Sequence, residues 1–425
     1  MKEPKKAALS FIFFTLLIDI TGLGIIIPVF PDLIANLEHC KVSETTGYAS
    51  WLLFAFAGMQ FLFSPVIGAL SDRYGRRPVL LISLLAFGLD YIAQAFAPTL
   101  AWLFITRIIA GISGASFTTA SAYIADVSPP EKRAQNFGMI GVAFGIGFMI
   151  GPLLGGLLGQ WGHSLAPSLA SIFPQGSFMY NAIDTRLPFL ASAFLSLLNC
   201  AYGFFVVPES LAPENRRKID WKRANPVGTL KQLSNYPVVI SLALSIFFIY
   251  MAAQSVQSTW SFYTKIKFLW DDKTVGYSLG VVGLSVMIVQ GGLIRIIMPK
   301  LGHKWSIYLG LLLYTVGLIL FAFASTTWMM FVFIIPYCLG GIAGPSIQGT
   351  ISNQIPPNAQ GEVQGGLTSI MSLTNIFGPL LMLNLLHYFT KPDAVVVFPG
   401  APFIMGAIFM LLATVLAMKA LPKHI

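Results

Sequence analysis

Apolar stretches of about 20 residues, separated by short polar segments, recur along the chain, each long enough to cross a roughly 30 Å hydrocarbon core as a helix. Their approximate spans are 7–30, 47–70, 78–97, 100–125, 135–159, 188–208, 237–263, 275–298, 305–325, 327–352, 363–389 and 398–420, twelve in all. The pattern predicts an all-α membrane protein with twelve transmembrane helices. Gly and Pro inside these stretches are tolerated because neighbouring helices satisfy the freed backbone groups. The first run follows Met1-Lys-Glu-Pro-Lys-Lys6, reaches about Phe30 and has no small-residue cleavage site. It reads as a retained helix, not a signal peptide.

The polar segments carry a repeat. Gly68-Ala-Leu-Ser-Asp72-Arg73-Tyr74-Gly75-Arg76-Arg77-Pro78, between the second and third stretches, is echoed 227 residues later, where Tyr74-Gly75-Arg76-Arg77 becomes Leu301-Gly302-His303-Lys304 and Asp72 becomes Pro299. At the same offset Ile124-Ala-Asp126-Val-Ser-Pro129-Pro130 becomes Ile351-Ser-Asn353-Gln-Ile-Pro356-Pro357, and Gly151-Pro152 becomes Gly378-Pro379. Three landmarks at one offset make the chain two copies of one unit. The expected organisation is a six-helix bundle over 1–208, a linker over 209–236 and a second six-helix bundle over 237–425.

Composition supports the membrane reading and narrows the function. A chain of 425 residues that is 56% hydrophobic and only 10% charged is not a set of soluble domains. The net charge of +9 would fit a nucleic-acid partner, but eighteen of the 26 Lys and Arg fall on the side of the membrane that holds the N-terminus and six on the other. The positive-inside rule then accounts for the charge, predicts cytoplasmic termini in a plasma (inner) membrane and leaves no nucleic-acid role. Arg216, Arg217, Lys218, Lys222, Arg223 and Lys231 cluster in the linker, where they set topology and touch anionic headgroups. Cys40, Cys200 and Cys338 are too few and too scattered for a disulfide framework or a metal site. No nucleophile and base arrangement, metal cluster or phosphate loop indicates an enzyme.

Two six-helix units in parallel repeat, with the Gly68 to Pro78 motif between helices two and three, resemble the major facilitator superfamily. Gly147-x-x-x-Gly151-Pro152-x-x-Gly155-Gly156 in helix five resembles the motif that marks its drug:proton antiporters. Asp19-Ile-Thr-Gly-Leu-Gly-Ile-Ile-Ile-Pro28 in helix one, Gly88-Leu-Asp90-Tyr91 in helix three, Arg107-Ile-Ile-Ala-Gly in helix four and Gly340-Gly-Ile-Ala-Gly-Pro345 in helix ten are similar to the twelve-helix tetracycline/proton antiporters. The resemblance implies alternating access, a proton as coupling ion with no cofactor, a small-molecule substrate and a monomer in the bilayer. It also implies that Asp72, Arg76 and Asp126 form a charge relay at the cytoplasmic end, and that Arg107 supports proton transfer. The chain departs from the tetracycline group where Tyr314 and Val286 replace an acidic residue in helix nine and a histidine in helix eight, which favours an apolar or weakly polar ligand over a cationic metal–drug complex.

Asp19, Asp90, Arg107 and Arg295 lie inside expected helices, where each would cost about 2.5–3.5 kcal/mol unless it faces a cavity or a partner. An apolar environment favours a neutral carboxyl group and a nearby guanidinium favours an ionised one. A carboxylate whose distance to Arg107 changes would therefore couple protonation to conformation, with Asp19 as first candidate and a static Asp19–Arg107 pair as the alternative. Asp90 reads equally as a structural partner or a transport residue, and Arg295 as a snorkelling cation. In the loop motif, Gly68 and Gly75 allow close approach and a tight turn. Asp72 is expected to accept from the N-terminus of a facing helix of the second half, and Arg73, Arg76, Arg77 and Arg133 to pair with carboxylates there. None of the charges at 19, 90, 107, 126 and 133 survives at the 227 offset. Proton coupling is thus expected in the first half. The second half keeps Tyr250, Gln254, Gln257, Gln290, Tyr314, Gln348 and Asn375 as candidate cavity residues, with Phe54, Met59, Gln60 and Phe63 from helix two. Gln254, Gln257 and Ser261 are expected to share one helix face. The stretch 160–186, with His163, Pro167, Pro174, Asn181, Asp184 and Arg186, reads as an outer loop.

The sequence thus points to a proton-coupled exporter of a small amphipathic compound. A proton-coupled importer or facilitator of the same fold and a non-transporting membrane receptor are the alternatives.

Overall fold

The computed structural model describes all residues except 1–2, 115, 129–132, 175–176, 178–179, 181–182, 184, 212, 217–236, 354–359, 392 and 422–425. Its helices are α1 (Glu3–Ile26), α2 (Phe30–Glu38), α3 (Val42–Tyr74), α4 (Arg76–Ala95), α5 (Leu100–Ser113), α6 (Ser116–Val127), α7 (Arg133–Ser168) and α8 (Leu187–Val206) in the first half. The second half holds α9 (Pro237–Gln257), α10 (Trp260–Phe268), α11 (Asp272–Ile288), α12 (Ile294–Phe323), α13 (Thr327–Leu339), α14 (Ala343–Asn353), α15 (Gln360–Thr390) and α16 (Ala401–Ala420). There is no strand among the described residues.

Among the described residues, ten helices are long and apolar enough to cross a membrane. The fourth and eighth expected spans are helical but interrupted. The fourth divides into α5 and α6 around Gly114, and the eighth continues from α11 through a π-helical turn, Val289–Leu293, into the start of α12. A third interruption overturns an expectation about the cavity. Helix seven ends at Gln257, where the hydroxyls of Ser258 and Thr259 donate to the carbonyls of Gln254 and Ser255 four residues back. Such bonds compete with the helical ladder. Gln254, Gln257 and Ser261 therefore do not share one face. Helix five, conversely, runs past its expected end to Ser168, so His163 and Pro167 belong to α7 and not to an outer loop. Asn181 and Asp184 lie outside the described residues, as does most of the linker.

The solvent of this fold is legible on α4. Ile82, Leu85 and Leu89 are 66%, 44% and 55% exposed, while Ser83, Asp90 and Gln94 are buried. A helix that turns its leucines outward and its carboxylate inward is built for lipid. Two compact units result. One comprises Met1–Cys40, Ala55–Ala224 and Trp270–Gly283, the other Lys41–Phe54, Asn225–Leu269 and Leu284–Ile425.

The first unit is assembled around close backbone contact, not bulky side chains. In α7, Gly147 faces Ile20, Gly151 faces Thr21 and Gly24, and Gly155 faces Ile25, so the antiporter-type motif is the surface on which α1 lies. A Cβ at 155 would sit 2.0 Å from the Ile25 carbonyl oxygen. On its other side α7 brings Gly156 against the Asp272 carbonyl and Gly276 of α11, with Pro152 contributing its own carbonyl. With no hydrophobic force between helices in lipid, such small-residue contacts supply van der Waals packing. Phe11, Ile12, Leu16 and Ile20 of α1 complete a core with Leu80, Leu84, Tyr123, Ile124 and Val207.

The repeat is visible in the backbone. Gly75 and Gly302 are the two described glycines at positive φ, 106° and 71°, and they stand at the 227 offset. In each copy a nine-residue helix, α2 or α10, follows the first long helix and ends on a left-handed non-glycine residue, His39 or Leu269.

Gly155→Ala is expected to lower stability by about 1–3 kcal/mol through overpacking. Gly145→Ala, where an added Cβ meets nothing within 4 Å, should stay within about 0.5 kcal/mol. Thermal unfolding of the two purified variants in detergent checks the difference, and equal melting temperatures would refute the packing role of the motif.

Candidate functional site

Two intramembrane charges of the first unit, Asp90 and Arg107, meet in one buried polar cluster. Arg107, on α5, pairs with Asp90, on α4, with Nη2 3.3 Å from Oδ2. The Gln94 amide donates to the same Asp90 oxygen, one turn along α4. Phe56 offers its ring to the guanidinium at 5.7 Å. The expected Asp19–Arg107 pair is absent among the described residues. Asp19 instead lies near Asn199 of α8. Tyr91, 3% exposed, lies next to Asp90 on α4 and reaches α1, where its ring and hydroxyl would stand 3.7 Å from a Cβ at Gly22.

Sequence reasoning missed Asn199, Gln94 and Tyr91, and the signal for the first was present. Ser192, Ser196 and Asn199 fall at i, i+4 and i+7 on α8, one helix face. Ser192 donates to the Gly22 carbonyl at 3.0 Å, Ser196 to Leu84 at 3.0 Å and Asn199 to Thr15 at 3.2 Å, so this face ties α8 to α1 and α4. The cluster keeps unused capacity. Asp90 Oδ1, Gln94 Oε1, Arg107 Nε, Thr15 Oγ1 and Asn199 Oδ1 are buried and make no hydrogen bond. Each such atom carries a desolvation cost that a proton or a rearranged partner removes.

At the opposite end of α4 the loop motif forms a second charged assembly. Arg76 reaches Asp72 one turn back, with Nη1 2.5 Å from Oδ1, and Asp126 of α6, with Nε 3.2 Å from Oδ2. Ser71 accepts from the same guanidinium at 2.6 Å, and Ser210 donates to Asp126 at 3.0 Å. Asp72 is thus engaged by its own helix turn. The N-terminus that is capped belongs to α4. Glu209 accepts the backbone N–H groups of Arg76 and Arg77 at 2.9 and 3.2 Å. A carboxylate there satisfies orphan donors and meets the positive end of the helix dipole. Gly75 makes this possible, because any Cβ at 75 would collide with Glu209 Oε2 at 2.3 Å. Gly68 plays no such part, since nothing described lies within 4 Å of its added Cβ. Arg77 donates to the Phe204 carbonyl at 2.6 Å, and Arg73 lies over the Tyr74 ring. The side chains of Arg133 and Arg295 lie outside the described ones.

The candidate cavity residues divide between the units. In the first, Met59 packs against Gly111 of α5, and Gln60 donates to the Gly114 carbonyl at 2.9 Å, satisfying the break between α5 and α6. Phe63 is half-buried. In the second unit Gln254 donates to Asn375 of α15 at 2.8 Å, beside Gly378. Gln290, on the π turn, and the Tyr314 hydroxyl both approach Gly341. Tyr314 also packs edge-on against Tyr337 and interacts with Tyr250. Gln257 and Gln348 are exposed. An open cavity of about 480 Å³ is lined by Met251, Phe377, Leu380, Leu381, Asn384, Leu385 and Tyr388. Phe54 packs on Phe377 at its edge.

Comparison with known proteins agrees with this architecture. The chain is 36% identical to the class C tetracycline resistance protein of Escherichia coli over 88% of each chain. Its identity to the class E protein of Escherichia coli is also 36%, over 90% of this chain and 87% of that one. A bacterial homologue of the human lysosomal transporter Spinster, solved in an inward-facing and unoccupied conformation, superposes with a TM-score of 0.77 at 17% identity, covering 99% of this chain and 97% of that one. The sequence profile of the Major Facilitator Superfamily matches residues 12–365 and 295–424. A chain of membrane-spanning helices in two copies, with its charges gathered inside the first, belongs to the Major Facilitator Superfamily and is a transporter, not an enzyme.

Proposed function

We propose that this integral membrane transporter is a proton-coupled antiporter of the plasma (inner) membrane, and that Asp19, Asp90 and Arg107 carry the coupling. The observation that carries this reading is the buried, incompletely satisfied Asp90–Arg107 pair, from which Tyr91 reaches Gly22, one helical turn from Asp19, in a chain whose second half has no charge at the equivalent positions. Proton arrival at Asp90 weakens its hold on Arg107, and the freed guanidinium then favours an ionised Asp19. Protonation of one carboxylate is thereby linked to that of the other through a cation that moves. One proton crossing 100 mV releases about 2.3 kcal/mol and a pH unit adds about 1.4 kcal/mol. Together they sustain a substrate gradient of several hundredfold.

The repeat supports alternating access by two six-helix bundles, 1–208 and 237–425, joined by a cytoplasmic linker and working as a monomer with both termini inside. The substrate contacts assigned to the second half are amides, phenols and apolar surface: Gln254 with Asn375, Gln290 with Tyr314, and the Met251, Phe377 and Tyr388 cavity. A small, neutral, amphipathic compound fits that chemistry. The relatives' names record tetracycline resistance, so export is the direction. Asp72, Arg76 and Asp126 act as the cytoplasmic latch, with Glu209 fixing the turn that presents Arg76.

Asp19→Asn is expected to leave the protein folded and to reduce pH-driven counterflow in proteoliposomes to background, and counterflow at the native rate would exclude Asp19 from coupling. Arg107→Ala leaves the Asp90 charge buried and unpaired, a loss of about 3–5 kcal/mol. The double variant Asp90→Asn with Arg107→Ala should regain much of the melting temperature but none of the flux. Asp72→Asn is expected to change transport rates while substrate binding in detergent stays the same; unchanged rates would reduce the latch to a turn-forming motif.

A further inference from the structure

We propose that Asp32, His163 and Asp272 form a binding site for a divalent transition-metal ion, at the end of the first unit remote from the loop motif. One ligand atom from each lies within 4.8 Å of the others, and His163 Nε2 stands 3.6 Å from Asp272 Oδ2. The three come from α2, α7 and α11, so nothing in local sequence brings them together. Donor atoms around an ion with bonds of about 2.0–2.2 Å are about 3.0–3.5 Å apart. Closing that gap takes small movements of Asp32 and His163, the two partly exposed members.

The site is built around its buried member. Asp272 has 4% of its side chain exposed against 45% for His163. Its carboxylate lies in a notch of α7, where a Cβ at Gly159 would sit 2.5 Å from Oδ2 and one at Gly156 would sit 2.3 Å from the Asp272 carbonyl oxygen. Capping of α11 is carried by the neighbour, since Asp271 Oδ1 accepts the Thr274 N–H at 2.9 Å. The Asp272 carboxylate thus faces α7 and His163. Asp32 and Asp272 each stand in the first turn of a helix, where the positive end of the dipole favours the ionised carboxylate a metal requires. Two carboxylates and one imidazole give a cationic ligand a net attraction. They also define its class: oxygen and nitrogen donors without thiolate suit Mn²⁺, Co²⁺, Ni²⁺ or Zn²⁺, whereas Mg²⁺ and Ca²⁺ prefer oxygen alone. The exposed imidazole leaves an entry path, and water completes the coordination. An ion there would clasp α11 to α7 beside the glycine contact of Gly156 and Gly276.

The test uses the full-length protein in detergent, with any affinity tag removed and stripped with chelator. Co²⁺ is titrated while visible absorption is followed, and Zn²⁺ is then added in competition. One saturable equivalent per chain is expected, with affinity falling by about tenfold or more in His163→Ala and in Asp32→Asn, and unchanged in His303→Ala. Asp272→Asn should abolish the signal; should that variant fail to fold, the two exposed-ligand variants decide the matter. Absence of saturable binding to the native protein, or native affinity in His163→Ala, would overturn the site.

Discussion

The approach of α7 to its neighbours is the contact on which the rest of the first unit depends. Glycines at 147, 151 and 155 admit the backbone of α1, and Gly156 admits that of α11. Helices in lipid gain nothing from hiding apolar surface, so their association rests on how closely backbones approach and how fully buried polar groups are paired. With α1 held flush against α7, its opposite flank is free to face α8 and α4. That flank carries Asp19, Thr15 and the carbonyl of Gly22, the atoms the serine and asparagine face of α8 and the tyrosine of α4 surround. Packing and proton chemistry are thus two faces of one helix.

The buried cluster illustrates how a membrane protein keeps charge without fixing it. Asp90 and Arg107 neutralise each other, yet one carboxylate oxygen and one guanidinium nitrogen remain unengaged. A fully satisfied network would be more stable and would have no reason to change. The pair here is satisfied enough to insert and incomplete enough to respond to a proton. The loop assembly follows the opposite logic. There Arg76 is engaged by Asp72, Asp126 and Ser71, and Glu209 caps the helix that carries it, so the guanidinium is held at the junction of α3, α4 and α6.

Duplication and divergence are separated by the backbone. The two copies keep the positive-φ glycines 75 and 302 and the short helices closed by left-handed residues. They do not keep the charges. Geometry imposed by chain reversal at a membrane surface survives because few residues can adopt it, whereas an intramembrane charge costs stability unless it is used.

Hydrophobic periodicity and composition alone determined the membrane class and the approximate helix boundaries, because the length and polarity of a lipid-crossing segment are fixed by the bilayer and not by neighbours, and the landmarks shared at the 227 offset determined the duplication. They also isolated Asp19, Asp90 and Arg107, since a charge in an apolar run is conspicuous wherever it points, while Asp72 and Asp126 stood out through the repeated loop motif. Partnership was decided only by the tertiary structure. Arg107 pairs with Asp90 and not Asp19, Asn199 lies near Asp19, Asp72 pairs with Arg76, and Glu209, far along the chain, caps α4. Met59 lies against Gly111, Gln60 donates to Gly114, and Ser261 stands in a separate helix from Gln254. Such choices depend on distances across helices that sequence spacing does not encode. The same holds for Asp32, His163 and Asp272, which share no motif and meet only because glycines let α11 lie against α7.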